Sequence, residues 1–219
     1  MSDASRAISL YAVRMRVTRL GPSGAPLVGP DNMYVTDSFV RVDYTPTYNE
    51  SDAITKPNGR GTLCLNVRPK KQLTGVEMTV EICDDDPMLS ELLGGGTVLT
   101  TGAGADVVGY QLPLGDDPET NGVSVEVWTE AWAGDSQVAD LPWFHYVFPK
   151  TALSPTERTL AAEPGEVAFE GTGGENREWG EGPAGDWTHS SRAAMQFIRT
   201  SVEPPAPTNG YVPVAAPAA

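Results

Sequence analysis

Residues 73–99 read LTGVEMTVEICDDDPMLSELLGGGTVL, and this stretch decides the fold. Val76, Met78, Val80 and Ile82 are apolar, and Glu77, Thr79 and Glu81 between them are polar. Successive side chains of a strand point to opposite faces, so period 2 means one face against a core and one toward water. The period then changes. Asp85 or Asp86 suits the cap of a helix over 86–93, and Pro87 its first position. Leu89, Leu92 and Leu93 share one apolar face, and Gly94 offers a left-handed stop. A half-buried strand running into one short capped helix predicts a β domain with a helix packed against it.

The flanking sequence extends this pattern. Upstream, Leu63, Leu65 and Val67 alternate with Thr62, Cys64 and Asn66, and 63–67 is expected to pair antiparallel with 76–82. Residues 45–61 (TPTYNESDAITKPNGRG) read as a long polar loop with a turn at Pro57-Asn58-Gly59; loops of that length are usually functional or mobile. Residues 33–44 hold a strand or a pair of them, rich in Val, Tyr and Phe, and 11–17 alternate again. Downstream, strands are expected at 97–100, 107–112, 122–133, 143–149, 166–170 and 193–200. In 122–133, Val123, Val125 and Val127 face one way, and Ser124, Glu126, Trp128, Glu130 and Trp132 the other. Residues 1–200 thus form a single β domain: mainly β, an antiparallel sandwich or barrel with one short α-helix. Residues 201–219, rich in Pro and Ala, form an extended or disordered tail.

Composition removes several functions. The 219 residues carry 15 Lys+Arg against 29 Asp+Glu, a net charge of −14, which argues against a grip on nucleic acid or on an anionic membrane surface. No apolar run approaches the roughly 20 residues that span a bilayer, and the first ten residues lack the apolar core of a secretion signal. The charge is uneven: residues 1–71 hold ten basic and six acidic side chains, and residues 72–219 hold five and twenty-three. Such a split suits a subunit whose copies attract head to tail.

Catalytic chemistry is sparse. His145 sits in an aromatic strand and is expected to pack rather than react; His189 lies in a Ser-rich turn. No nucleophile elbow, phosphate loop or dinucleotide fingerprint occurs. Cys64 and Cys83 lack zinc-knuckle spacing, and helix capping accounts for Asp84-Asp85-Asp86 better than calcium does. No catalytic, cofactor or metal residue is assigned. Trp128, Trp132 and Trp143 suggest an alternative, a monomeric β-sandwich module that binds glycan or protein.

Three segments carry a family resemblance: 17–43 (VTRLGPSGAPLVGPDNMYVTDSFVRVD), 73–99, and 171–187 (GTGGENREWGEGPAGDW). On them the chain resembles the major tail proteins, or tail tube proteins, of long-tailed bacteriophages, particularly those infecting actinobacteria. The resemblance implies hexameric rings in which subunits share one β-barrel, and rings stacked into a tube that conducts the genome from capsid to host. It implies a virion protein assembled in the host cytoplasm, with no catalysis and no cofactor. Its partners would be further copies of itself, the tail terminator, tape measure and baseplate or tip proteins, and DNA in passage without specific binding. On that reading Glu77, Thr79, Glu81, Ser124 and Glu126 are candidates to line the lumen. Tyr48, Asn49, Glu50, Asp52, Lys56, Asn58 and Arg60, in the long loop, are candidates to reach the next ring.

Overall fold

A computed structural model describes residues 6–50, 52–83, 85–102, 106–112, 114, 122–158, 167–184, 192–208 and 210–212. In chain order the elements are β1 (Ile8–Arg19), β2 (Met33–Thr36), β3 (Phe39–Asn49), β4 (Ile54–Pro57), β5 (Leu63–Val67), β6 (Gln72–Ile82), α1 (Pro87–Gly94), β7 (Thr97–Thr101), β8 (Asp106–Gln111), β9 (Val123–Ala133), β10 (Ser136–Gln137), β11 (Trp143–Pro155), β12 (Val167–Gly173) and β13 (Gln196–Thr200). His189, Asp84 and residues 213–219 lie outside the described residues.

The main sheet runs β2-β1-β9-β11-β12-β6-β3, with every pairing antiparallel; β10 adds to β9 and β13 to β11. The turning point is β11. Its first half pairs with β13 and its last residues with β12, and its register on β9 shifts between Phe148 and Thr151. The sheet folds back on itself there, so that Tyr44 of β3 lies over Phe148 of β11, ring centroids 5.3 Å apart. The result is sandwich-like and is not a closed barrel: the strand order has two ends, β2 and β3.

The core fills the fold with the expected parity. Met15 and Val17 from β1, Val76, Met78, Val80 and Ile82 from β6, Val123, Val125 and Val127 from β9, Phe148, Leu153 and Phe169 are all buried in one cluster. Helix α1 closes it with Leu89, Leu92 and Leu93. Asp86 is the N-cap and accepts hydrogen bonds from the Met88 and Leu89 amides, which are otherwise unpaired at a helix start. The positive-φ residues after the helix are Gly95 and Gly96 rather than Gly94, which is buried in the last turn.

Two expectations are corrected. β5 pairs with β4 and not with β6, whose neighbours are β3 and β12. The polar loop at 45–61 is mostly strand: β3 continues to Asn49, and β4 and β5 form a hairpin closed by a turn over residues 58–61. Asn58 Oδ1 accepts from the Arg60 and Thr62 amides, and the positive φ falls on Gly61. Pro46 disguises this strand. A proline lacks the ladder N–H and is tolerated only on an edge, and β3 is an edge strand. Both cysteines are exposed free thiols.

Gly171 marks where β12 crosses closest to β11: a Cβ there would stand 1.8 Å from the Ala152 carbonyl oxygen. The obstacle is backbone, so the strands must part to admit a methyl group. Gly171→Ala is expected to cost about 3 kcal/mol, the upper end of ordinary overpacking, read as a fall in the midpoint of chemical denaturation.

Candidate functional site: an acidic β face and an uncovered arm

The outer face of β12, β6 and β3 is a regular polar surface. Glu77 lies between Thr45 and Thr172, Thr79 between Asp43 and Glu170, and Glu81 between Arg41 and Ala168. In two of these three rows carboxylates alternate with hydroxyls, in the third Glu81 lies beside Arg41, and no two carboxylates stand directly opposite each other, the arrangement that would be most repulsive. Arg41 is the one cation among these nine residues. Its guanidinium bonds Glu81 at 2.5 Å and approaches Asp43 at 3.3 Å. With Asp43, Glu77, Glu81 and Glu170 against Arg41, the face carries a net charge of −3. Glu77 is exposed, Thr79 half-buried, and Glu81 largely buried beneath Arg41.

Ser124 and Glu126 do not join that face. They lie on β9, in the middle of the sheet, 0% and 1% exposed. Arg16, directly across on β1, grips the Glu126 carboxylate with two hydrogen bonds of 2.6 and 2.7 Å, and His145 Nε2 lies 3.0 Å from Oε1. The His145 ring stacks on Trp128 with centroids 4.1 Å apart, and the Arg16 guanidinium lies 5.1 Å from the same indole. Burial would push the Glu126 carboxyl up. The Arg16 charge, with hydrogen bonds from His145 and Arg16, overrides this and holds it at about 2. This ion pair fixes β1 against β9; it is not a lumen lining. It also takes Trp128, 1% exposed, out of any sugar platform.

The stacking candidates fall on an arm. β3 and β6 pair as far as Asn49 and Gln72, beyond which the β4–β5 hairpin continues with every strand residue exposed. Tyr48 and Asn49 end β3, Glu50 pairs with Lys71, Asp52 is exposed, Lys56 lies in β4, and Asn58 and Arg60 form the tip. The polar candidates are only half of this surface. Tyr48, Ile54, Leu63, Leu65, Val67 and Leu73 are also exposed, by 44 to 59%. Sequence reasoning assigned 63–67 to the sheet and so missed these side chains; the alternation of Leu63, Leu65 and Val67 was the available signal. Contiguous exposed apolar groups of this kind mark contact surfaces.

A second uncovered region lies at the mouth of the sandwich. Tyr146 and Phe197 pack at 5.4 Å beside Phe144, and Phe197 is 53% exposed. Tyr11 adopts a positive φ of 49° in an irregular part of β1 and projects into solvent near Trp132. Among the described residues no group of three or more His, Cys, Asp or Glu side chains is placed to hold a metal ion.

Because Glu126 is ionised in the folded chain down to about pH 2, its contribution to stability is complete above its ordinary value of 4.5 and is lost as the pH falls toward 2. The native chain is expected to lose up to about 3 kcal/mol over that window, and Glu126→Gln to abolish this part of the acid dependence. At pH 7 the same variant leaves Arg16 buried without its counter-charge and is expected to be less stable by about 3 kcal/mol. Urea denaturation at pH 7, 4 and 3 checks both. In comparison with protein-family models and with curated proteins, the chain finds no match.

Proposed function

We propose that this chain is a structural subunit that assembles into rings and then a tube, the tail tube of a long-tailed bacteriophage, and that the acidic face of β3, β6 and β12 lines its lumen. The observation that carries the reading is the arm. Two core strands run out of the sandwich into a hairpin whose apolar side chains nothing in the described chain covers. A monomeric module has no use for such an arm; a subunit that must reach a neighbour does. Stacking of this kind is a heterologous contact, repeated without closing along an axis.

The acidic face supports the second half of the reading. A conduit for DNA must not bind DNA, and carboxylates spaced by threonines repel phosphates while offering no basic contact. The same strands that form the face extend into the arm, so a ring that turned this face inward would carry its arms together along the axis. The outer edge of β3 bears no strand among the described residues, as lateral pairing between subunits requires.

Negative-stain microscopy of the purified chain at high concentration tests the reading. Rings or tubes are expected, and a protein that stays monomeric at millimolar concentration would favour the alternative binding module. Replacing residues 50–71 by an Asn-Gly turn closes β3 onto β6 and removes the arm. The variant is expected to keep a cooperative melt and to form isolated subunits or rings, with long tubes lost. Normal tubes in that variant would overturn the assignment of the arm.

A further inference from the structure

The sheet has two ends, and they are treated differently. Among the described residues the outer edge of β3 is bare, whereas the outer edge of β2 is covered by the chain's own C-terminal segment. The Thr208 amide donates to the Val35 carbonyl at 2.8 Å, the Val35 amide donates to Thr208 Oγ1 at 3.2 Å, and the Val212 amide donates to the Met33 carbonyl at 2.8 Å. Tyr211 bridges antiparallel to Tyr34. Its hydroxyl bonds Glu91 of α1, whose carboxylate is also held by Arg19 at 2.6 and 2.7 Å. Gly210 is buried at a φ of +121°, and a Cβ there would meet the Met88 sulfur at 2.9 Å. The segment is a fitted strap, seated by backbone pairing and one aromatic anchor.

It is also a weakly tethered one. Residues 203–207 (EPPAP) contain three prolines, which donate no backbone hydrogen bonds, and no described backbone bond ties them to the domain. A few hydrogen bonds, one of them to a carboxylate, and the packing of the single Tyr211 ring against the core hold the strap. Such a contact yields to a longer strand.

We propose that the outer edge of β2, with Glu91 beside it, is a strand-acceptor site for a second copy of this chain. Thr208 and residues 210–212 close that site in the free subunit, and the bare edge of β3 on a neighbouring copy is the strand that takes it. The end of one sheet then meets the opposite end of the next, a head-to-tail pairing that continues the sheet and can close a ring. The strap makes ring formation conditional on its displacement and protects the single subunit from indiscriminate edge pairing. This rests on the ring reading above for its purpose, but the acceptor site is tested independently of tubes.

The test compares the full chain with one ending at residue 202, by sedimentation velocity across a concentration series. The shortened chain is expected to self-associate at concentrations at least 10-fold lower. Val35→Pro, which removes an edge N–H, is expected to cancel that gain, and so is an excess of a synthetic peptide spanning residues 203–212. A shortened chain that melts cooperatively and associates like the full chain overturns the proposal, as does association indifferent to Val35→Pro. Should the shortened chain not fold, full-length Tyr211→Ala carries the test. Amide exchange over 33–36 is expected to quicken at least 5-fold with the same shift in association, and unchanged exchange and association overturn the proposal. If neither full nor shortened chain forms tubes while the shift persists, the tube reading falls and the acceptor site stands.

Discussion

An open β-sheet leaves unpaired N–H and C=O groups along its two outermost strands, and the organisation of this protein follows from how those edges are met. Folding the sheet back at β11 buries its apolar face without joining β2 to β3, so the edges survive folding. Among the described residues, one is met by the chain's own Thr208 and residues 210–212 and the other is left open. The arm carries the same condition further: β4 and β5 satisfy each other's backbones but leave their apolar side chains in water. The described residues are thus incompletely paired in the single chain, in backbone and in side chains alike.

The middle of the sheet is the opposite case. β9 is flanked by β1 and β11 and buried on both faces, which forces its polar parity to be satisfied inside the fold. Arg16, Glu126 and His145 meet that demand with directional bonds, and Trp128 supplies a flat surface for two of them. Charge pairs of this kind add little net stability over apolar packing, but a lost partner is costly, so they specify register. A slip of β1 by one residue would place Met15 or Val17 opposite Glu126 and strand the carboxylate. The rigid centre thereby sets where the less constrained edges lie.

Local patterns were legible in the sequence. The parity of Val76 to Ile82, the Asp86 cap with Pro87, and the strands around 107–112, 122–133 and 193–200 all depend on neighbours within a few residues. What depended on distant partners was not legible. Ser124 and Glu126 share the alternation of Thr79 and Glu77, and only distant partners, the flanking strands β1 and β11 with Arg16 110 residues away, distinguish the interior Glu126 from the exposed Glu77. β3 was cut short because Pro46 and its polar neighbours resemble a loop unless the strand is known to be an edge. The tail reads from sequence as extended or disordered, and a proline-rich composition does not disclose that Thr208 and Tyr211 find partners on β2 and α1.

The net charge of −14 reads differently once it is placed in space. Part of it is internal and neutralised, as at Glu126 with Arg16 and Glu91 with Arg19. Part is concentrated on one sheet face, where carboxylates stand opposite threonines or Arg41 rather than one another. That spacing bears on mechanism. Crowded carboxylates would raise one another's pKa and partly neutralise, or would draw in divalent cations that bridge to phosphate. Here Arg41 ties down Glu81 and Asp43, while Glu77 and Glu170 each stand opposite a threonine rather than another carboxylate. On the ring reading proposed above, the face would present a net charge of −3 per subunit to a passing polyanion and so repel it.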